Sequence, residues 1–302
     1  MRNLPFDKPG RFFRGNLHTH STRSDGRLTP EAVCRYYRQM GYHFVSITDH
    51  FMERFQYPLT DASACHSDDF ITLMGAELHA PETCTGELWH ILAVGLPRDF
   101  APNAPDETGV SLAARAMDSG AYVAVAHPAW YNLSEEDVIA LGQVHAIETI
   151  NGVSADHNDR IDSWYMVDVM LARGYRYNAV ATDDAHFKPD FNDTARGWAW
   201  VKSESLTPDS ILDALKRGEY YSSTGPEIYD IQVTPGDCVR VKCSPASSVF
   251  VTSKGAWTVY RHGNGITEAE LNIRRLNQPY CRVTVRDAHG GRAWSNPIWL
   301  TV

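Results

Sequence analysis

From Arg14 to Thr224 the sequence alternates short apolar runs rich in β-branched residues with stretches of helical periodicity. That alternation restricts the chain to repeated βα units around a mostly parallel sheet. The first run covers residues 15–20 and leads through a polar loop to Thr29-Pro30-Glu31. Thr29 suits an N-cap, Pro30 the first helical turn and Gly41 the stop. Residues 44–50 read as the second strand, and similar runs follow at 71–78, 88–96, 121–127, 145–151 and 177–184. Helical patterns occupy 110–119, 135–141, 159–173 and 208–217.

After Gly225-Pro226 the pattern changes to short alternating runs (VRVKC, VFVTS, WTVY, CRVTV, PIWLTV) broken by turn dipeptides. This reads as a small antiparallel β-sandwich. A chain of 302 residues exceeds the roughly 250 at which one core usually stops growing. The expected division is therefore residues 1–225, carrying the chemistry, and 226–302, the β-sandwich.

Lys and Arg number 28 against 37 Asp and Glu, a net charge of −9 that argues against nucleic-acid polymers as partners. The opening MRNLPFDKPGRFFRG has no apolar h-region, and no stretch approaches a membrane span, so the expectation is a cytoplasmic protein without a membrane partner. Cys34, Cys65, Cys84, Cys238, Cys243 and Cys281 form no C-x-x-C pair and read as reduced thiols. The 13 histidines are in excess, and their placement matters.

His18 and His20 stand two residues apart at the end of the first run and can reach one ion from a common strand face. Asp25 follows on a loop that can fold over them. Later strands carry similar residues toward the end where α/β sheets build active sites. The second ends in Thr48-Asp49-His50, the third in Glu77 with His79 two residues on, and the fifth in His127-Pro128. His90 lies within the fourth run, and Asp184 and His186 share a face after the seventh. One such histidine is ordinarily a core residue bonded to a carbonyl. Buried carboxylates and imidazoles converging together need cations to compensate them. Imidazole and carboxylate donors without thiolate suit Zn, Mn or Fe, and their number implies two or three ions.

The segments HTHSTRSDGRLTP, ITDH, GAE, WHILAVG, AHP and DDAH, in that order, resemble the PHP (polymerase and histidinol phosphatase) superfamily of metal-dependent phosphoesterases. The resemblance covers about residues 14–224. It implies a distorted (β/α)7 barrel with a bi- or trinuclear centre whose ligands are His18, His20, Asp25, His50, Glu77, His90, His127, Asp184 and His186. It further implies that Glu77 bridges two ions, with His90 and His127 on one of them, and that Asp25, His50 and His186 gather around a third. TDDAH, TPDSILDALKRGEYYSSTGP and AWSNPIWL look most like the CehA/McbA branch, which pairs the barrel with a C-terminal β-domain and is named for a carbamate hydrolase.

Asp184, His186 and Glu77 are the catalytic candidates. Arg160, Arg196 and His79 are candidate substrate contacts, the arginines as bidentate phosphate clamps. Lys188 is a weaker candidate, and Glu148 can orient a ligand histidine. Clustered divalent ions would acidify a bridging water and neutralise phosphoryl oxygens, so the expected reaction is hydrolysis of a small phosphate monoester. Carbamate, ester or amide hydrolysis by the same water is the alternative, and a catalytically inactive metal-binding module is the third. His262 and His289, the only histidines after Pro226, lie in Gly-flanked, turn-like stretches and are expected to bind no metal.

Overall fold

The computed structural model describes residues 4–300. In chain order the first part runs β1 (Arg11–Asn16), α1 (Pro30–Gln39), β2 (Phe44–Ile47), β3 (His50–Phe51), β4 (Ile71–Ala80) and β5 (Trp89–Val94). Then come α2 (Gly109–Asp118), β6 (Tyr122–Val125), α3 (Pro128–Tyr131), α4 (Glu135–Ala140), β7 (Ala146–Asn151), α5 (Ser154–His157), α6 (Trp164–Ala172) and β8 (Asn178–Thr182). The rest is β9 (Trp198–Ser203), α7 (Pro208–Lys216), β10 (Tyr220–Ser223), β11 (Ile228–Thr234), β12 (Cys238–Thr252), β13 (Thr258–Asn272), β14 (Tyr280–Arg286), β15 (Arg292–Ser295) and β16 (Ile298–Trp299).

The fold is mixed α/β around one large sheet, ordered β11-β12-β14-β15-β10-β9-β1-β2-β4-β5-β6-β7-β8. The sheet is less parallel than the sequence implies. The pairs β1/β2, β2/β4, β6/β7 and β7/β8 are parallel, but β5 runs antiparallel to both neighbours and β9 antiparallel to β1 and β10. The reason for β5 is local, because the short connection from Ala80 to Trp89 leaves no room for a crossover helix.

Side-chain alternation sorts the apolar residues of these strands into two cores. Ala76 and Leu78 of β4, Ile91 and Ala93 of β5, and Val123 and Val125 of β6 join Leu112, Val138 and Val167 of the helices. Their neighbours of opposite parity, including Leu73, Leu92, Val94, Tyr122, Ala124, Ala146 and Val180, meet Phe13, Val201 and Tyr220 in a second core. Ile211, Ala214 and Leu215 of α7 join it, and Leu212 packs on Gly95 just past the end of β5. α7 thus covers the end of this core that lies away from His90. At the free end of the sheet, β8 is tied back by its own polar contacts: Ala181 N donates to Ser222 Oγ, Asp183 N to Asn16 Oδ1, and Asp184 N to His18 O.

Several boundaries differ from the sequence reading. Thr29 caps α1 as expected, its hydroxyl accepting from Ala32 N at 3.4 Å, but β1 ends at Asn16 and the 44–50 run divides at Thr48-Asp49. The 159–173 helix starts only at Trp164. VRVKC and VFVTS are one continuous strand, β12, and β13 extends the WTVY run to Asn272, so His262 lies in a strand rather than a turn. β10 pairs with β15, which carries the same hydrogen-bonded path into the C-terminal strands. Their apolar cluster, with Val239, Val251, Val283 and Val285, is separate from the other cores. No helix among the described residues is long and apolar enough to cross a membrane.

Candidate metal centre

In β4, β5, β7 and β8 the row of side chains that joins the α7 core is apolar toward α7 and leads to polar residues at the opposite end. Along β4 the row passes from Leu73 through Gly75 to Glu77, along β7 from Ala146 to Glu148, and beyond β8 from Val180 through Thr182 to Asp184. In β5 the order is reversed, because the strand is: His90 comes first, then Leu92 and Val94. Antiparallel pairing sets His90 opposite His79 and so delivers it to the same end as the other residues. His18 and His20 reach that end from just past β1, held by the parallel bridge Thr19 to Ala185.

All nine ligand candidates gather there. Glu77, 1% exposed, is the hub: Oε1 lies 2.7 Å from His90 Nδ1, 3.0 Å from His127 Nε2 and 3.7 Å from His18 Nε2. Its Oε2 is 2.6 Å from His50 Nδ1 and 3.7 Å from His20 Nε2. Asp184 Oδ1 is 2.9 Å from His20 Nε2 and 3.3 Å from His18 Nε2. Asp25 Oδ1 is 3.4 Å from His50 Nε2 and 3.3 Å from His186 Nε2. Three of the resulting groups, each compact enough to hold an ion, are His20-Asp25-His50-His186, His18-His127-Asp184 and Glu77-His90-His127. His79 joins His50 and Glu77 in a further one, with Nε2 at 2.9 Å from His50 Nδ1.

This donor set fits divalent cations. His18 Nε2, Glu77 Oε2 and Asp25 Oδ1 are buried without a hydrogen-bond partner, although each faces other donors of the cluster. Such orphaned atoms cost about 1–3 kcal/mol apiece, which shared cations would offset. Charge in the cluster divides accordingly. Burial opposes ionisation of Glu77, yet His90 and His50 outweigh it and hold its carboxyl well below the usual range; for Asp184, His18 and His20 do the same. Burial, with His186 and His50 nearby, lowers His20 to about 4, and burial lowers His79 and His90 as well. A lowered imidazole favours its neutral form, whose lone pair can bind a cation. His18 is raised despite its burial because Asp184 and Glu148 stand beside it, and His127 because of Glu77.

A surrounding layer aims these residues. Glu148 accepts from His18 Nδ1 at 2.8 Å, from His127 N at 2.7 Å and from Asn151 Nδ2 at 3.0 Å, and also from the Thr182 hydroxyl. Asp49, unassigned in the sequence reading, accepts from Ser21 N, Ser21 Oγ, Ser24 Oγ and Thr60 Oγ1, each at 2.7 Å, and so shapes the loop that carries Asp25. Only a residue without a Cβ fits next to Asp25, since a Cβ on Gly26 would lie 2.6 Å from His20 O. Two of the candidates occupy unusual backbone: His127 has φ +24° and Asp184 φ +52°. For residues other than glycine this region is strained, and such strain gathers at functional sites.

The cluster opens into a cleft of about 260 Å³ lined by seven of the nine candidates, with His18 and His20 fully buried behind them. His79 lines the cleft; Arg160 and Arg196 do not. Arg160 is exposed and donates from Nη1 to Trp130 O at 3.1 Å, while Arg196 lies against Gly152. The cations that do line the cleft are Arg54 and Lys188, the latter 3.2 Å from Asp25 Oδ2. Arg54 carried no sequence signal, because its position follows from an irregular turn after β3.

His262 bonds Ser248 Oγ at 2.9 Å within the C-terminal strands, and His289 sits in a turn closed by Asp287; neither belongs to any ligand group among the described residues. Replacing both with Ala is expected to leave metal content and turnover unchanged. Elemental analysis of the double variant checks this, and loss of metal would contradict it.

No protein-family model matches the sequence, and no curated protein matches it. Among solved structures, a two-domain protein containing a predicted PHP-like metal-dependent phosphoesterase from Bacteroides vulgatus ATCC 8482 superposes with a TM-score of 0.53 at 14% identity, over 96% of this chain and 97% of that one. A provisionally assigned metal-dependent phosphoesterase from Bifidobacterium adolescentis ATCC 15703 gives a TM-score of 0.45 at 16% identity, over 67% of this chain and 96% of that one. An amidohydrolase from Chromobacterium violaceum with bound sulfate and no metal gives 0.45 at 15%, over 59% and 89%. The chain therefore shares the fold of the Bacteroides vulgatus PHP-like protein along nearly its whole length.

Proposed function

We propose that the protein is a cytoplasmic metal-dependent hydrolase of small phosphate monoesters, with its centre at the mouth of a distorted (β/α)7 barrel. The observation that carries this reading is the overlap of several three- and four-residue donor groups on the shared carboxylate Glu77 within one cleft. The polar contacts that return β8 to β1 and β10 support the barrel description. In this reading His18, His127 and Asp184, then Glu77 with His90, and His20 with Asp25, His50 and His186 hold two or three ions of Zn, Mn or Fe. When bound, such ions acidify an attacking water and neutralise substrate oxygens.

The chain's own residues supply position and charge. Glu148 fixes the His18 ring through Nδ1, which leaves Nε2 turned toward Asp184 and Glu77. Asp49 holds the loop that sets Asp25 opposite His50 and His186. Arg54 and Lys188 add positive charge at the mouth, the role expected of Arg160 and Arg196 from their chemistry. A terminal phosphate presents several oxygens to such a mouth, whereas a carbamate presents one carbonyl oxygen, and this favours the monoester.

Arg54→Ala is expected to lower kcat/KM for monoesters about tenfold or more, the scale of one charge-assisted hydrogen bond, without loss of metal. A screen of phosphomonoesters, phosphodiesters and carbamates with inhibition by inorganic phosphate decides the substrate. Faster turnover of a phenyl carbamate than of every monoester, with no phosphate inhibition, would transfer the assignment to carbamate hydrolysis.

A further inference from the structure

We propose that the cleft contains a stacking subsite for a planar aromatic ring on the substrate's leaving group, formed by Trp130, His157 and Phe191. The inference rests on the hydrolase reading above and names the kind of alcohol that such a hydrolase releases. All three side chains line the same cleft as Glu77 and Asp184. Trp130 and His157 stack with centroids 4.6 Å apart and planes 26° apart, and Phe191 meets His157 edge-on at 5.8 Å. Trp130 is also 5.7 Å from the ring of His127, tilted by 49°. The three rings therefore lie beside the ligand cluster within the same cleft.

Packing does not account for these rings. Trp130 and Phe191 belong to none of the apolar cores of the described residues, and His157 is exposed. Leu88, also on the cleft, is 41% exposed. Apolar surface left open inside a concave site is a feature of ligand pockets.

The platform is also built to hold its shape. α3 follows His127 directly, so the backbone turn that aims this imidazole also sets Trp130. Arg160 Nη1 anchors the Trp130 carbonyl, which gives that arginine a positioning role in place of the phosphate clamp. Asp156 of α5 accepts from Asn192 N at 2.8 Å, and Asp193 accepts from His186 N and Phe187 N, bracing the segment that carries Lys188 and Phe191. A preformed face loses little side-chain entropy on binding, and a π face rewards a flat ring over a puckered one.

Benzyl phosphate and cyclohexylmethyl phosphate test this because they are close in size and differ in planarity, and the loss of any preference in Trp130→Ala separates stacking from the lower basicity of the benzyl leaving group. The metal-loaded protein is expected to favour benzyl phosphate at least about tenfold in kcat/KM, and Trp130→Ala to remove that preference. His157→Ala, an exposed substitution that spares the fold, is expected to weaken it. Calorimetric binding of benzylphosphonate and cyclohexylmethylphosphonate gives a readout independent of turnover. Absence of hydrolysis of both esters alongside tighter, Trp130-dependent binding of benzylphosphonate would refute the phosphatase reading and support the subsite. Equal affinity for the two phosphonates, or binding of neither, overturns the subsite.

Discussion

Glu77→Gln is expected to lose most bound metal and to lower monoester turnover at least about a thousandfold, equivalent to about 4 kcal/mol of transition-state stabilisation. The size follows from its position. One carboxylate oxygen faces His90, His127 and His18, and the other faces His50 and His20. The amide is nearly isosteric, so packing is preserved, but it carries no charge and turns two N–H donors toward imidazoles that require an anion or a cation. Unchanged circular dichroism together with metal loss and collapse of turnover is the expected pattern. A variant that keeps two or three ions and more than a tenth of its activity would show that Glu77 is not the shared ligand.

Stripping the purified protein with a chelator should abolish turnover and lower Tm by about 5 °C or more, with both restored by Zn, Mn or Fe. A ligand present at a hundred times its Kd stabilises by about 2.7 kcal/mol, and a domain of 150–250 residues shifts about 2–4 °C per kcal/mol. The metal-free cluster retains some compensation of its own, because Asp184 and Glu148 raise His18, Glu77 raises His127 and Asp25 raises His186, which favours a proton on each. Loading must displace those protons, so it should release acid that a weakly buffered titration can read. Elemental analysis before stripping should give two to three ions. One ion or none in protein never exposed to chelator, with an unchanged Tm on stripping, would contradict the multinuclear reading.

Much of the candidate centre was legible in the sequence because its residues recur at or just past the ends of apolar runs. Glu77 follows an apolar row within β4, while His18 with His20 and Asp184 with His186 come directly after β1 and β8, where the sheet delivers them to one end even though Asp184 has left-handed backbone. The antiparallel course of β5 was not legible, since an apolar run reads the same in both directions, yet that reversal is what brings His90 to Glu77. Arg160 and Arg196 had the right chemistry and the wrong place. Their side-chain directions depend on the α5 turn and the 187–197 loop, which carry no periodicity. Arg54, Asp49 and Trp130 escaped notice for the same reason, each being positioned by a turn.

Residue order alone carries the α/β class, the Gly41 stop and Thr29 cap of the first helix, and the set of imidazoles and carboxylates that converge. Those features depend on periodicity and residue chemistry, which act over a few neighbours. Which atoms face one another, which cations reach the cleft, and that β10 and β15 join the C-terminal strands to the rest follow from the folded arrangement. These depend on contacts between residues far apart in the chain, such as Glu148 with His18 and Asp183 with Asn16, which form only when distant strands have come together.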